Sequence, residues 1–221
     1  MLLKNEVDGG IEPFMPEAET AHLRSVYEEA DVILEYGSGG STQMAAQMPQ
    51  KFIMSSESDK EWARSLRHKL SLAKVQSRVI VHHVDIGETG PWGRPQSSLA
   101  WRKFFRYPND IWDQVWFRHP DVILIDGRFR VACLVTSMLR IERPTLVLFD
   151  DYGVRPLYHE IEDLIRPRRM IGRMAEFMIE PKKICPEDVV RLLFSVSLGS
   201  ICGINESFYT KSVDQVVNEV G

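Results

Sequence analysis

Acidic residues in this 221-residue chain stand at the ends of short apolar runs, where a β-sheet delivers side chains to one edge. Asp121-Val-Ile-Leu-Ile125 runs into Asp126, and Thr145-Leu-Val-Leu-Phe149 runs into Asp150 and Asp151. A carboxylate at such an edge can take a proton from a hydroxyl or amine. Several together can hold Mg²⁺ or Ca²⁺, and the ion would lower the pKa of a coordinated hydroxyl. Asp126 and Asp150 are therefore candidate catalytic acids, and Asp126, Asp150 and Asp151 a candidate metal set. Arg128, a third catalytic candidate, follows in Asp126-Gly-Arg128-Phe-Arg130. Its guanidinium and that of Arg130 can clamp a carboxylate or phosphate, or else neutralise the nearby aspartates.

A second constellation lies earlier. Asp31-Val-Ile-Leu-Glu-Tyr36 leads into Gly37-Ser-Gly-Gly40. Glycines at the carboxyl end of a strand let a ligand approach the backbone, because they lack a β-carbon and tolerate positive φ. The dinucleotide spacing GxGxxG needs glycine where Thr42 stands, so the form that cradles a pyrophosphate is incomplete. Glu35 would repel a pyrophosphate and suit the cationic amino-acid end of S-adenosylmethionine. NAD-dependent oxidoreduction is accordingly the weaker alternative.

Glu35-Tyr-Gly37-Ser-Gly39 resembles the first motif of class I S-adenosylmethionine-dependent methyltransferases: acid, any residue, Gly, any residue, Gly. The resemblance spans roughly residues 31 to 152. It implies that Glu57, 20 residues past Gly37, binds the cofactor ribose, and that Asp85 in His82-His83-Val-Asp85-Ile86 accepts from the adenine amino group. The implied cofactor-binding set is Glu35, Tyr36, Gly37, Ser38, Gly39, Ser41, Glu57, Ser58, Asp85 and Asp126. The layout after the last two apolar runs is similar to that of catechol-type O-methyltransferases, which hold magnesium with an acid and an Asp-Asn pair. Here Asp151 replaces the asparagine, and the lysine expected after the first ligand is missing. Without a metal, Asp126 or Asp150 serves as general base. The bland alternatives are a surface acid at Glu35, a helix-flanking charge at Glu57 and a solvated loop residue at Asp85.

Alternating elements must position these groups. A helix at roughly Glu17 to Ala30 precedes the first strand, and Ser41 to Met48 follows the glycine turn as a helix with Ser41 or Thr42 as N-cap. Lys51 to Ser55 reads as strand, Asp59 to Ala73 as helix with Asp59 capping it, and Arg78 to Val84 as strand. A helix over Val131 to Ile141 separates the two later strands. Helices near Tyr158 to Ile165 and Pro186 to Val196, and a strand at Met174 to Ile179, complete the pattern. The expected fold is a Rossmann-like α/β three-layer sandwich with a mostly parallel sheet, in one domain over residues 1 to 221.

Residues 87 to 120 interrupt the alternation with glycines, prolines and aromatics, a texture that suits a lid or binding loop. Within it Gly90-Pro-Trp92-Gly93 can fold over a cofactor, with Trp92 stacking on adenine; the alternative is a small satellite core. His82 and His83 alternate to opposite faces and carry no catalytic expectation.

A net charge of -4 offers no broad surface for nucleic acid, so the expected partner is a small-molecule methyl acceptor. Cys133, Cys185 and Cys202 lack any zinc or redox spacing and read as reduced thiols in a cytoplasmic protein. No run reaches the length of a membrane span. Oligomeric state stays open, a homodimer among the options. The leading expectation is a methyltransferase, the alternative a non-catalytic S-adenosylmethionine-binding module.

Overall fold

The computed structural model describes residues 6–7, 10–11 and 13–182. Within the expected irregular lead-in, Glu6–Val7 (β1) and Gly10–Ile11 (β2) form a small antiparallel pair. The main sheet has seven strands: Val32–Tyr36 (β3), Phe52–Glu57 (β4), Arg78–His83 (β5), Val122–Ile125 (β6), Thr145–Phe149 (β7), Arg169–Ile171 (β8) and Met174–Ile179 (β9). Their order is β5-β4-β3-β6-β7-β9-β8. The first five are parallel, and β9 runs antiparallel to both β7 and β8. The order reverses at β3, where the chain switches from building outward through β4 and β5 to building the other way through β6. A doubly wound sheet opens a crevice at the carboxyl ends of its strands at such a switch point.

Interior parallel strands are buried on both faces, which explains their near-continuous apolar runs. Alternation assigns each residue to a layer. Ile33, Ile53, Val122, Leu124 and Leu148 join Leu23 and Tyr27 of helix Glu17–Glu29 (α1) and Met44 and Ala45 of helix Gly40–Gln47 (α2). On the other face Leu34, Tyr36, Met54, Ile123, Ile125, Val147 and Phe149 pack against an apolar helix. Helix Lys60–Leu72 (α3) lies on β5 through Ala63, Leu66 and Val81.

That apolar helix is preceded by a segment that departs from expectation. Residues 101–113 fold into short turns, Trp101–Phe104 (α4), Arg106–Asn109 (α5) and a 3-10 turn over Asp110–Asp113. Phe104, Tyr107, Ile111 and Trp112 are buried and merge with the main core around helix Arg130–Arg140 (α6). This half of the insertion is neither a lid nor a satellite core. Trp92 and Leu99 of its earlier half face solvent, as do Trp101, Phe105 and Val115 of the later half.

Three boundaries also shift. Gly39, not Ser41 or Thr42, is the N-cap of α2, and Thr42 answers it from the third helical position, its Oγ1 accepting the Gly39 N–H at 3.0 Å. The expected helix near Tyr158 is a 3-10 segment, Pro156–Asp163. Strand β4 extends to Glu57, so that acid ends the strand rather than following it. Asp59 does cap α3, accepting from the Trp62 N–H at 2.9 Å. The expected helix at Pro186 to Val196, and Cys185 and Cys202, lie outside the described residues.

Candidate active site

The glycine turn has a packed floor and an open roof. Gly37 has φ +101°, and a β-carbon there would strike the Gly127 backbone nitrogen at 2.8 Å, so only glycine lets the β3 and β6 turns touch. Above it a β-carbon on Gly39 would meet no atom of the described residues within 4 Å. This is the space a backbone-hugging ligand needs.

Glu35 does not face that space. Alternation puts its side chain on the same face as Ile33, beneath α1 and α2, where it is fully buried. Its Oε1 accepts from the Tyr27 hydroxyl at 2.8 Å, and Oε2 from Thr42 Oγ1. Burial raises its pKa from 4.5 to about 7 against the pull of hydrogen bonds from Thr42, Tyr27 and Ser41. The chain of contacts from Tyr27 through Glu35 and Thr42 to the Gly39 N–H braces the turn from behind. Tyr36 points the opposite way: its hydroxyl donates to the Pro108 carbonyl at 2.8 Å and accepts from Trp112 Nε1 at 2.6 Å. Its side chain anchors the insertion, leaving only its backbone at the turn.

Glu57 reaches the turn from the next strand. Its Oε2 accepts from the Ser38 hydroxyl at 2.9 Å and the Ser38 N–H at 3.3 Å, and Oε1 accepts from the Asp59 N–H at 2.8 Å. Burial raises its pKa, opposed by those backbone donors. Four lone-pair directions on a carboxylate leave capacity for a further donor. The insertion closes against this corner: Ser58 Oγ donates to the Gly93 carbonyl at 2.9 Å, and a β-carbon on Gly93 would lie 2.4 Å from Ser58 Oγ. Trp92 beside it has a left-handed backbone, is 69% exposed and turns its ring toward Phe14, 6.0 Å away. Asp85 lies at the surface, held by Lys103 at 2.7 Å and by the Gly87 N–H at 2.9 Å.

At the ends of β6 and β7 the three aspartates do come together, but around arginines. The buried Arg130 guanidinium lies 2.8 Å from Asp126 Oδ1, 3.3 Å from Asp151 Oδ2 and 3.9 Å from Asp150 Oδ2. Arg173 lies 3.1 Å from each oxygen of Asp150 and 3.1 Å from Asp151 Oδ1. The magnesium expectation is corrected on this ground: two guanidinium groups already supply the counter-charge, and Arg130 fills the space between the ligand candidates. Among the described residues no group of three His, Cys, Asp or Glu side chains could hold a metal ion.

Asp150 is buried and tied at both oxygens, whereas Asp126 keeps about a third of its side chain in contact with solvent, 36%. Desolvation raises the Asp126 pKa above the ordinary aspartate value; Arg130 opposes the rise, and Asp150 and Asp151 add to it. Phe129 and Asp151 hold left-handed backbones beside it, at φ 52° and 61°. Such conformations in non-glycine residues persist where surrounding structure enforces them and cluster at functional edges.

Arg173, Tyr107 and Arg94 were not among the sequence candidates. Arg173 is 23 residues from Asp150 in a tight turn between short strands, with no periodic or motif signal. Tyr107 carries a hydroxyl that donates to the Ser56 carbonyl at 3.2 Å and would lie 2.1 Å from a β-carbon on Gly127, so it seats the insertion on both turns.

A sheet that reverses at β3, a glycine turn open above and acids at neighbouring strand ends define a Rossmann-like α/β ligand-binding fold. The solved structures narrow the class. A methyltransferase-like protein from Silicibacter pomeroyi is 44% identical, with TM-score 0.81, over 86% of this chain and 98% of that one. A proposed rRNA-methylase from Clostridium thermocellum shares the fold at 8% identity and TM-score 0.50, over 76% of this chain and all of that one. No protein-family profile matches the chain, and neither does a curated protein sequence. At that identity over nearly the whole of the Silicibacter protein, the chain belongs to the class I methyltransferase family. Among the described residues no helix is long and apolar enough to cross a membrane.

Proposed function

We propose that this chain binds S-adenosylmethionine across the carboxyl ends of β3 and β4 and methylates a small-molecule acceptor held at the ends of β6 and β7. The observation that carries the reading is the open space above Gly39 beside the braced carboxylate of Glu57. One ribose hydroxyl can donate to the remaining lone-pair direction of Glu57, and the methionine end can lie against the Gly37 to Gly40 backbone. S-adenosylmethionine supplies an electrophilic methyl group on a cationic sulfur. The chain's own contribution is to orient and to move one proton. Asp126 accepts the proton of the acceptor hydroxyl or amine, and Arg130 holds that carboxylate at 2.8 Å. Tyr107 and Gly93 seat the insertion against the crevice and exclude water from it. Holding two reactants in line supplies much of the acceleration in such a transfer.

Calorimetric titration with S-adenosylhomocysteine and NAD side by side tests this reading. Binding of the adenosyl ligand without NAD is the expected result, and a preference for NAD would end the methyltransferase assignment.

A further inference from the structure

The carboxylates at the β6–β7 edge are all engaged, and one arginine at that edge is left over. Arg130, Arg155 and Arg173 take up Asp126, Asp150 and Asp151. Arg128, two residues past Asp126, has a buried Nε with no hydrogen-bond partner among the described residues. The largest charge effects on its guanidinium come from Arg130 and Arg94, both of its own sign, and from the phenols of Tyr107 and Tyr158. Burial and those like charges hold its pKa below the ordinary arginine value. Arg94 is exposed and ends the Gly90–Arg94 turn that the insertion lays over Ser58, its carbonyl accepting from the Gly90 N–H at 2.7 Å.

A mostly buried guanidinium without an anion is unfavourable. Gathering further positive charge around it makes the site worse for the empty protein and better for an anionic ligand. We propose that Arg128, assisted by Arg94, binds an oxyanion, a carboxylate or phosphate, carried by the methyl acceptor. The proposal rests on the methyltransferase reading above and names its substrate class. The Cα atoms of Asp126 and Arg128 are at most ~7 Å apart along the chain. An acceptor that presents its nucleophile to Asp126 and its anion to Arg128 is thus compact, of the size of a hydroxy acid, an amino acid or a sugar phosphate. Arg130, the other arginine of the sequence pair, is excluded from this role because its guanidinium is consumed by the aspartates and by the Asp126, Gly127 and Asp150 carbonyls. The same chemistry has a second source, the methionine carboxylate of the cofactor itself, and the test separates the two.

Wild-type protein, Arg128→Gln and Arg94→Ala are titrated calorimetrically with inorganic phosphate, alone and with saturating S-adenosylhomocysteine, and separately with S-adenosylhomocysteine. Phosphate should bind the wild type in both conditions, about tenfold or more weakly in Arg128→Gln, and roughly threefold more weakly in Arg94→Ala, where a screened surface charge is lost. S-adenosylhomocysteine affinity should stay within about twofold in both variants. Arg94 is exposed, so its variant reports on the site even if Arg128→Gln folds poorly. Phosphate binding that is equal in all three proteins, or absent from the wild type, overturns the proposal. So does a tenfold loss of S-adenosylhomocysteine affinity in Arg128→Gln with phosphate competing against that ligand, which assigns the guanidinium to the cofactor. A wild type that fails to bind S-adenosylhomocysteine refutes the methyltransferase reading instead, while the phosphate titration of the ligand-free protein still decides the oxyanion site.

Discussion

Replacing Glu35 with glutamine should flatten the pH dependence of stability by about 2 kcal/mol between about pH 5.5 and pH 8. The carboxyl is fully buried, and its pKa is lifted from 4.5 to about 7. Across most of this interval the native state keeps a proton that the unfolded chain has released. The stability contributed by the protonated carboxyl is whole below about 4.5 and is lost as the pH rises through about 7. Each unit of pKa difference is worth about 1.4 kcal/mol, and integrating the proton difference from about pH 5.5 to 8 leaves roughly 2 kcal/mol. Glutamine does not titrate, yet its amide can accept from Tyr27 and donate to Thr42, so the fold should persist. Urea unfolding of wild type and variant at the two pH values measures the effect, and subtracting one protein from the other cancels the titration of Asp126 and Glu57. An unchanged slope would show that Glu35 is already ionised in the native state and would refute the brace. In the same variant S-adenosylhomocysteine affinity should change by less than about threefold, whereas a direct contact to a cationic ligand would cost tenfold or more.

Asp126→Asn should lower turnover by about a hundredfold or more with S-adenosylhomocysteine affinity within about twofold. Because a base must be deprotonated, wild-type turnover should rise as the pH passes through the raised pKa of Asp126, and steady-state kinetics should find that limb missing from the variant. Glu57→Ala should weaken S-adenosylhomocysteine binding by about 1 to 3 kcal/mol in calorimetry, and unchanged affinity would remove the ribose assignment. Arg130→Met should lower the unfolding free energy by about 3 to 5 kcal/mol in urea titration, since it leaves three clustered carboxylates short of counter-charge.

The strands and the turn were legible because buried parallel strands are apolar runs cut off by glycine or acid. The antiparallel β8–β9 hairpin was only half visible: Arg169-Met-Ile171 is three residues on the sheet edge, too short for a period-two signal. At the site, the positions of acids at strand ends could be read, but not their facing. Glu35 shares the face of Ile33, and Tyr36 that of Leu34, by simple alternation. Which face meets helices and which meets the insertion is set by chain windings that one strand does not encode. The insertion misled for a related reason. Its prolines and glycines suit a loop, yet Phe104, Tyr107 and Ile111 follow one another at three and four residues, with Trp112 adjacent, and serve as a core-facing stripe once short turns form.

The choice of arginine over a metal ion at the β6–β7 edge has a structural logic beyond charge. Arg130 donates to the carbonyls of Gly127, Asp126 and Asp150 as well as to the Asp126 carboxylate, so one side chain ties the end of β6 to the end of β7. A divalent ion could replace the charge but not those carbonyl bonds in that fork geometry. Arg173 extends the arrangement to the β8–β9 hairpin, whose turn also receives Glu19 of α1 at the Arg173 N–H, 2.9 Å away. Of the three acids, these two arginines bury and saturate Asp150, clamp Asp151 and leave Asp126 with a solvent-facing side. On the proposed function, the edge thereby offers Asp126 as the one base among three acids. Among the described residues it also leaves Arg128 without an acid of its own, which is why the packing that leaves Asp126 open to an acceptor in the proposed reaction points to an anion on that acceptor.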